Sequence, residues 1–152
     1  MKLFTDDTYM AIFLDTSFLI PFYNEKDTKH EKTLELIKAC KSNKYGKIFT
    51  SYDVLDELLT YIQRKVSKSL SAELAKYWIV EKKGFADLLP LNEEDRIQAA
   101  DLFTTQENER KPLSYTDCSI VIICQKLHID NLATFDSQFS SFLTVHPREL
   151  GK

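Results

Sequence analysis

Glycine and proline are scarce in this chain, three and four among 152 residues, so no Gly/Pro-rich stretch marks a linker and no low-complexity tract or internal repeat is visible. Cysteine is also sparse: Cys40, Cys118 and Cys124 are odd in number, lack C-x-x-C spacing and fall in apolar or helical surroundings. That pattern points to free buried thiols and away from disulfides or zinc. The three histidines, His30, His128 and His146, are scattered without ligand spacing. No apolar run is much longer than about five residues, against the roughly 20 a membrane helix needs. The N-terminus has one Lys before the pair Asp6 and Asp7 and lacks a signal-peptide core. A soluble, cytoplasmic protein is therefore expected. An excess of positive charge is missing too: the net charge is −3, which argues against coating nucleic acid by bulk electrostatics. It does not exclude a nuclease, because acids gathered around divalent metal carry the ion's charge with them.

What is present is a core. With 43% hydrophobic and 12% aromatic residues, the length and composition predict one globular domain over residues 1–152. Met10 to Leu14 is apolar without alternation and predicts a strand buried on both faces, ending at Asp15. In open α/β sheets ligands bind at the carboxyl ends of strands, so Asp15 is a candidate site residue. Taken alone, it reads more readily as a helix cap. Phe18 to Tyr23 predicts a short helix that tolerates Pro21 near its start, and Thr28 to Glu31 has the form of a capping box ahead of Leu34, Ile37 and Cys40. Lys47 to Ser51 predicts a second strand, giving a strand, helix, strand unit and hence parallel pairing.

Thr50 and Ser51 open a long helix with Val54, Leu55, Leu58, Leu59, Ile62 and Val66 on its apolar face. Asp56 and Glu57 border that face on opposite sides, and periodicity does not choose between them; both also suit the helix dipole. Arg64, Lys65 and Lys68 lie toward the C-terminal end, where cations complement the dipole, and read more as a solvated face than as an RNA patch. A helix from Leu70 to about Lys83 follows, with Leu74, Tyr77, Trp78 and Val80 inward and Gly84 as its stop. Phe85 to Leu91 predicts an edge strand ending at Pro90, and Asn92 starts a helix burying Ile97, Ala100, Leu102 and Phe103. Ser114 to Asp117, itself a possible capping box, leads into an almost wholly apolar helix from Cys118 to Cys124. Asn131 to Phe135 is a short strand ending in Asp136, which could alternatively cap the turn at Gln138, and Leu143 to Val145 can add a last strand.

Two strands thus bring Asp15 and Asp136 to one sheet edge, and two helices begin near Glu57 and Asp117 after Ser or Thr. Four converging acids repel one another unless a cation lies between them. Oxygen-only donors suit Mg²⁺ or Mn²⁺ and disfavour zinc, and such ions activate water against a phosphodiester.

The ordered segments Leu14-Asp15-Thr16-Ser17, Thr50-Ser51 with Val54-Leu55-Asp56-Glu57-Leu58, Ser114-Tyr115-Thr116-Asp117-Cys118-Ser119 and Ala133-Thr134-Phe135-Asp136-Ser137-Gln138-Phe139 resemble the motifs of PIN-domain ribonucleases over nearly the whole chain. The resemblance maps the family's acids onto Asp15, Glu57, Asp117 and Asp136, selecting Glu57 over Asp56, and places Thr16 or Ser17 at a supporting hydroxyl position. It implies a three-layer α/β/α fold with a central parallel sheet of four to five strands. It also implies endonucleolysis of RNA with Mg²⁺ or Mn²⁺, leaving a 5′-phosphate and a 3′-hydroxyl. Among stand-alone PIN domains the chain is most similar to VapC-type toxins, which implies an antitoxin partner and a homodimer. A housekeeping PIN nuclease in rRNA or tRNA maturation is the alternative enzyme, and a non-catalytic PIN interaction scaffold the alternative of a different class. A haloacid-dehalogenase phosphatase needs a second Asp where Ser17 stands, and a response-regulator receiver carries its acceptor Asp on a middle strand.

Overall fold

The computed structural model describes residues 10–106 and 111–147; the acidic pair Asp6 and Asp7 and the polar tail lie outside the described residues. Five parallel strands form one sheet: β1 (Ala11–Leu14), β2 (Lys47–Ser51), β3 (Asp87–Leu89), β4 (Asn131–Ala133) and β5 (Thr144–His146), in the order β3-β2-β1-β4-β5. The helices α1 (Thr16–Tyr23), α2 (His30–Lys41), α3 (Tyr52–Lys65), α4 (Lys68–Ala75), α5 (Glu93–Thr105) and α6 (Tyr115–Lys126) complete the three-layer α/β/α arrangement. All four residues of β1 are buried, as an unalternating apolar run in the middle of a parallel sheet must be. From β1 the chain builds toward β2 and β3 on one side and returns to β4 and β5 on the other. The topological switch point therefore lies between β1 and β4, where Phe13 pairs Leu132 and Leu14 pairs Ala133. Ligand sites of open α/β sheets form at the carboxyl edge of such a point.

Helix phases depart from the sequence expectation where polar groups take buried positions. The Thr28–Glu31 capping box does not form. Asp27 instead organises a turn, accepting from Lys29 N through Oδ1 (2.8 Å) and from His30 N through its carbonyl (3.0 Å), and α2 begins at His30 with no side-chain cap. Its buried face is Thr33, Leu36, Ile37 and Cys40, with Leu34 exposed. Thr33 can be buried because its hydroxyl donates to the His30 carbonyl (2.5 Å). In α1, Pro21 lies in the interior, since the helix opens at Thr16, ahead of the expected Phe18.

After α4 the chain widens into a π-helical turn, Lys76–Val80, and stops short of the expected Lys83. Trp78 turns inward and donates Nε1–H to Tyr23 Oη (2.9 Å), whereas Tyr77 and Val80 are exposed. Gly84 is not the helix stop. The left-handed residue after this helix is Lys82 (φ 54°), and Gly84 serves close approach, because a Cβ there would sit 2.1 Å from the Trp78 ring.

The largest correction is α5. Its buried residues are Asp95 and Ala99, while Ile97, Ala100 and Phe103 face outward. The reason is Lys126 of α6, whose Nζ reaches Asp95 Oδ1 and Oδ2 at 3.1 and 3.2 Å. Asp95 also closes the capping box with Asn92. A paired carboxylate thus takes the face that hydrophobicity would assign to Ile97. Replacing Lys126 by Met strands that carboxylate and should lower stability by roughly 1.5–3 kcal/mol. Adding Asp95→Asn, which keeps the cap's shape, should restore part of the loss. Urea midpoints at constant m-value test this; equal loss in the single and double variants would contradict it.

Candidate active site

Asp15 is the first residue beyond β1 and is only 3% exposed. It stands at the N-cap position of α1, yet its side chain makes no capping bond. Its Oδ2 instead accepts from the Ser17 hydroxyl (2.8 Å) and from the Thr134 hydroxyl (2.7 Å). The two hydroxyls have one proton each, and both find their second partner by accepting. Phe135 N–H donates to Ser17 Oγ (3.0 Å) and Asp136 N–H to Thr134 Oγ1 (3.0 Å). Asp15 is thus tied through two hydroxyls to the backbone leaving β4. Thr134, fully buried at the switch point, is a site residue that the sequence motifs alone do not distinguish. The available signal was a hydroxyl two residues before Asp136, at the end of a strand next to β1.

The other acids reach the same edge from separate elements. Ser51 caps α3 by accepting from Val54 N (3.2 Å), and Glu57, on the second turn, accepts from the Thr16 hydroxyl through Oε1 (2.8 Å). The Asp56 carboxylate, inside α3, makes no side-chain hydrogen bond among the described residues. Asp117 closes the capping box of α6: Ser114 N donates to its Oδ2 and its own N–H donates to Ser114 Oγ, both at 3.1 Å. Asp136 caps the short 3₁₀ segment Ser137–Ser141, its Oδ1 accepting from Gln138 N (3.0 Å). The local caps anticipated for Asp117 and Asp136 are therefore both made. They do not compete with a shared role, because each positioning bond falls on one oxygen: Oδ2 of Asp15, Oε1 of Glu57, Oδ2 of Asp117 and Oδ1 of Asp136. A carboxylate has about four lone-pair sites.

Electrostatics link the four. Burial pushes the Asp15 carboxyl up to about 6, against the Thr134 and Ser17 hydroxyls, and the Asp117 charge adds to the rise. Asp117 is also raised, first by burial and then, against its cap bonds, by the charges of Asp136 and Glu57. Asp117 consequently feels all three other acids. Among the described residues no ion pair reaches any of the four. The neighbouring thiols offer no soft alternative, since burial pushes Cys118 up to about 11 and Cys124 higher still.

The donor chemistry fits Mg²⁺ or Mn²⁺: hard oxygens, excess negative charge and, among the described residues, no cation paired to them. Among the described residues no three His, Cys, Asp or Glu side chains form a cage around one point. That is compatible with Mg²⁺, which keeps several waters and takes one or two carboxylates directly.

A model of the PIN domain family matches residues 12–142. A VapC ribonuclease of Archaeoglobus fulgidus is 29% identical over 131 residues, covering 86% of this chain and 80% of that protein. Among solved structures, Mycobacterium tuberculosis VapC20, described as a sarcin-ricin loop cleaving toxin, superposes with a TM-score of 0.72 at 22% identity, over 86% of this chain and 93% of that one. VapBC2 from Rickettsia felis, bound to a promoter DNA fragment, gives 0.63 at 16% identity, over 90% and 98%. FitAcB from Neisseria gonorrhoeae gives 0.62 at 15%, over 88% and 95%.

Without metal, the buried Asp15 charge opposes folding at neutral pH. Its carboxyl titrates near 3.8 when unfolded and about 6 when folded, so the favourable contribution is complete below 3.8 and is lost as pH rises through 6. Asp15→Asn removes the charge, and its amide oxygen can still accept both hydroxyls. In EDTA above pH 6 the variant should exceed the parent in stability by up to about 3 kcal/mol, and the difference should close below pH 4. Urea unfolding across that range checks this, and a difference independent of pH would refute the assignment of the buried charge.

Proposed function

Because the chain belongs to the PIN domain family, we propose that it is an endoribonuclease that hydrolyses RNA phosphodiester bonds with Mg²⁺ or Mn²⁺ and leaves a 5′-phosphate and a 3′-hydroxyl. What supports the reading most is that the charge of Asp117 is coupled to those of Asp15, Glu57 and Asp136, while among the described residues no ion pair reaches any of the four. In this reading Asp15, Glu57, Asp117 and Asp136 would hold the ion, one or two of them directly and the others through its waters, and the ion would supply positive charge against the scissile phosphate and acidity for the attacking water.

The protein's own contribution is positional. Ser17 and Thr134 fix the rotation of Asp15, Thr16 fixes Glu57, and the Ser114 and Gln138 caps fix Asp117 and Asp136. The four carboxylates therefore need little reordering when phosphate arrives. The raised proton affinities of Asp15 and Asp117 mean that binding an ion displaces protons, so occupancy rises with pH.

We further read the chain as a cytoplasmic VapC-type toxin restrained by an antitoxin. The archaeal VapC ribonuclease and the VapBC complexes among its structural relatives support this; no specific observation favours the housekeeping alternative. For the expected homodimer, the outward residues Ile97 and Phe103 of α5 offer an apolar surface for a second copy.

Purified protein should cleave RNA only with Mg²⁺ or Mn²⁺, and Asp15→Asn or Asp117→Asn should reduce cleavage by at least about 100-fold while circular dichroism is unchanged. Full activity in both variants would remove the proposed site. Light scattering tests the pairing separately: Ile97→Lys should shift a dimer toward monomer, and an unaltered dimer mass would exclude α5 as its interface.

A further inference from the structure

Two cations of α3, Arg64 and Lys65, line a groove, which helix-dipole complementarity alone does not require. A groove of about 480 Å³ begins at Thr16 and Glu57 and runs along α3 between Ile20 of α1 and Tyr61, ending at Arg64 and Lys65. Thr16 and Glu57 are hydrogen-bonded to each other (2.8 Å), so the groove is continuous with the four-acid site. Its α3 wall is one helical stripe: Glu57, Thr60, Tyr61 and Arg64 stand at i, i+3, i+4 and i+7. The apolar stripe Val54, Leu55, Leu58 and Ile62 is buried in the core.

The cations of this groove are uncommitted. Arg96 makes two 3.0 Å bonds to Asp53, and Lys126 is held by Asp95. Among the described residues Arg64 and Lys65 have no acidic partner, and both are exposed. Tyr61 is 39% exposed and lies between them and the acids. Along the groove the order is acids, then an aromatic face, then cations, with Glu57 and Arg64 about 10 Å apart on the helix axis at 1.5 Å per residue. Asp56 lies at the acidic end and adds to the negative charge there.

Resting on the ribonuclease reading for the position of the scissile phosphate, we propose that this groove holds the single-stranded flank of the RNA substrate, with a base stacked on Tyr61 and the following phosphates on Arg64 and Lys65. A single strand fits because its bases are free to stack and its backbone follows a charged groove. The acid end repels phosphate until cations occupy it, so strand binding at the far end and ion binding at the near end jointly set the register of cleavage.

The test is fluorescence anisotropy of a short labelled single-stranded RNA of mixed sequence in Mg²⁺, with the full chain carrying Asp15→Asn so that the RNA stays intact. Tyr61→Ala should weaken binding about 5- to 150-fold, as loss of one stacked base does, and Tyr61→Phe should retain it. Arg64→Gln with Lys65→Gln should flatten the plot of log affinity against log salt by about 1.4, at about 0.7 per phosphate contact. Lys38→Gln, an exposed cation of α2 outside the groove, should change neither. With Asp15 restored, the Tyr61 and Arg64 variants should raise KM for RNA cleavage and leave kcat close to the parent's.

Unchanged affinity and salt slope in folded groove variants would overturn the proposal and leave the groove to a protein partner; Mg²⁺-dependent cleavage by the parent would keep the ribonuclease reading intact. Equal weakening by Lys38→Gln would also overturn it, because the effect would then be one of net charge. Binding lost in the groove variants, with no cleavage by the parent under any metal, would support the groove and overturn the ribonuclease reading.

Discussion

The Asp15 carboxylate is buried at the end of the central strand, with no cation in ion-pairing reach among the described residues, and the surrounding chain answers that demand. Its two hydroxyl donors come from opposite ends of the sequence. Ser17 is in the first turn of α1, and Thr134 leaves β4, more than a hundred residues later. Each hydroxyl is in turn held by a backbone N–H of the Thr134–Asp136 segment. The network therefore sets more than one side chain: it fastens the β4 exit against the β1 exit and so determines where Asp136 begins. A parallel pairing of β1 with β4 brings these two strand ends side by side, which makes the contact possible.

Asp95 shows how the same molecule buries an acid that has only structural work. It is as buried as Asp15, 3% exposed in each case, but Lys126 neutralises it directly. Neutral hydroxyls orient a carboxylate without cancelling its charge, so Asp15 retains attraction for an external cation. The cost is a buried charge that opposes folding, which any cation bound there by the native protein would offset by mass action. Burial without a counter-charge separates a candidate ligand from a structural acid more sharply than capping does. Asp117 and Asp136 are both caps, and the Asp136 charge still acts on Asp117.

Much of this frame was legible in the sequence because local signals agreed with the global fold. The apolar run ending at Asp15, the strand from Lys47 to Ser51, the Ser51 cap and the Ser114–Asp117 capping box all lie where their residues place them. Two of the failures share one cause: a polar group whose hydrogen-bonding needs are met took a position that periodicity assigns to carbon. Thr33 in α2 and Asp95 in α5 are buried through the His30 carbonyl and Lys126, and Leu34 and Ile97 face outward in consequence. Thr134 is inconspicuous in the sequence for a related reason, since its acceptor Asp15 is brought to it by sheet pairing and not by sequence spacing.

The stripe along α3 was hidden differently. Glu57, Tyr61 and Arg64 are each ordinary on an exposed helix face, and their alignment acquires meaning only when something fixes the rotation of the helix about its axis. The buried residues Val54, Leu55, Leu58 and Ile62 do that; turning α3 by one residue, about 100°, would remove several of these side chains from the core. The same packing that is usually assigned to stability alone therefore sets the phase at which Glu57 meets Thr16 and at which Tyr61 and Arg64 line the groove. Hydrophobic burial and the geometry of the acidic site are two faces of one helix, and neither can shift without the other.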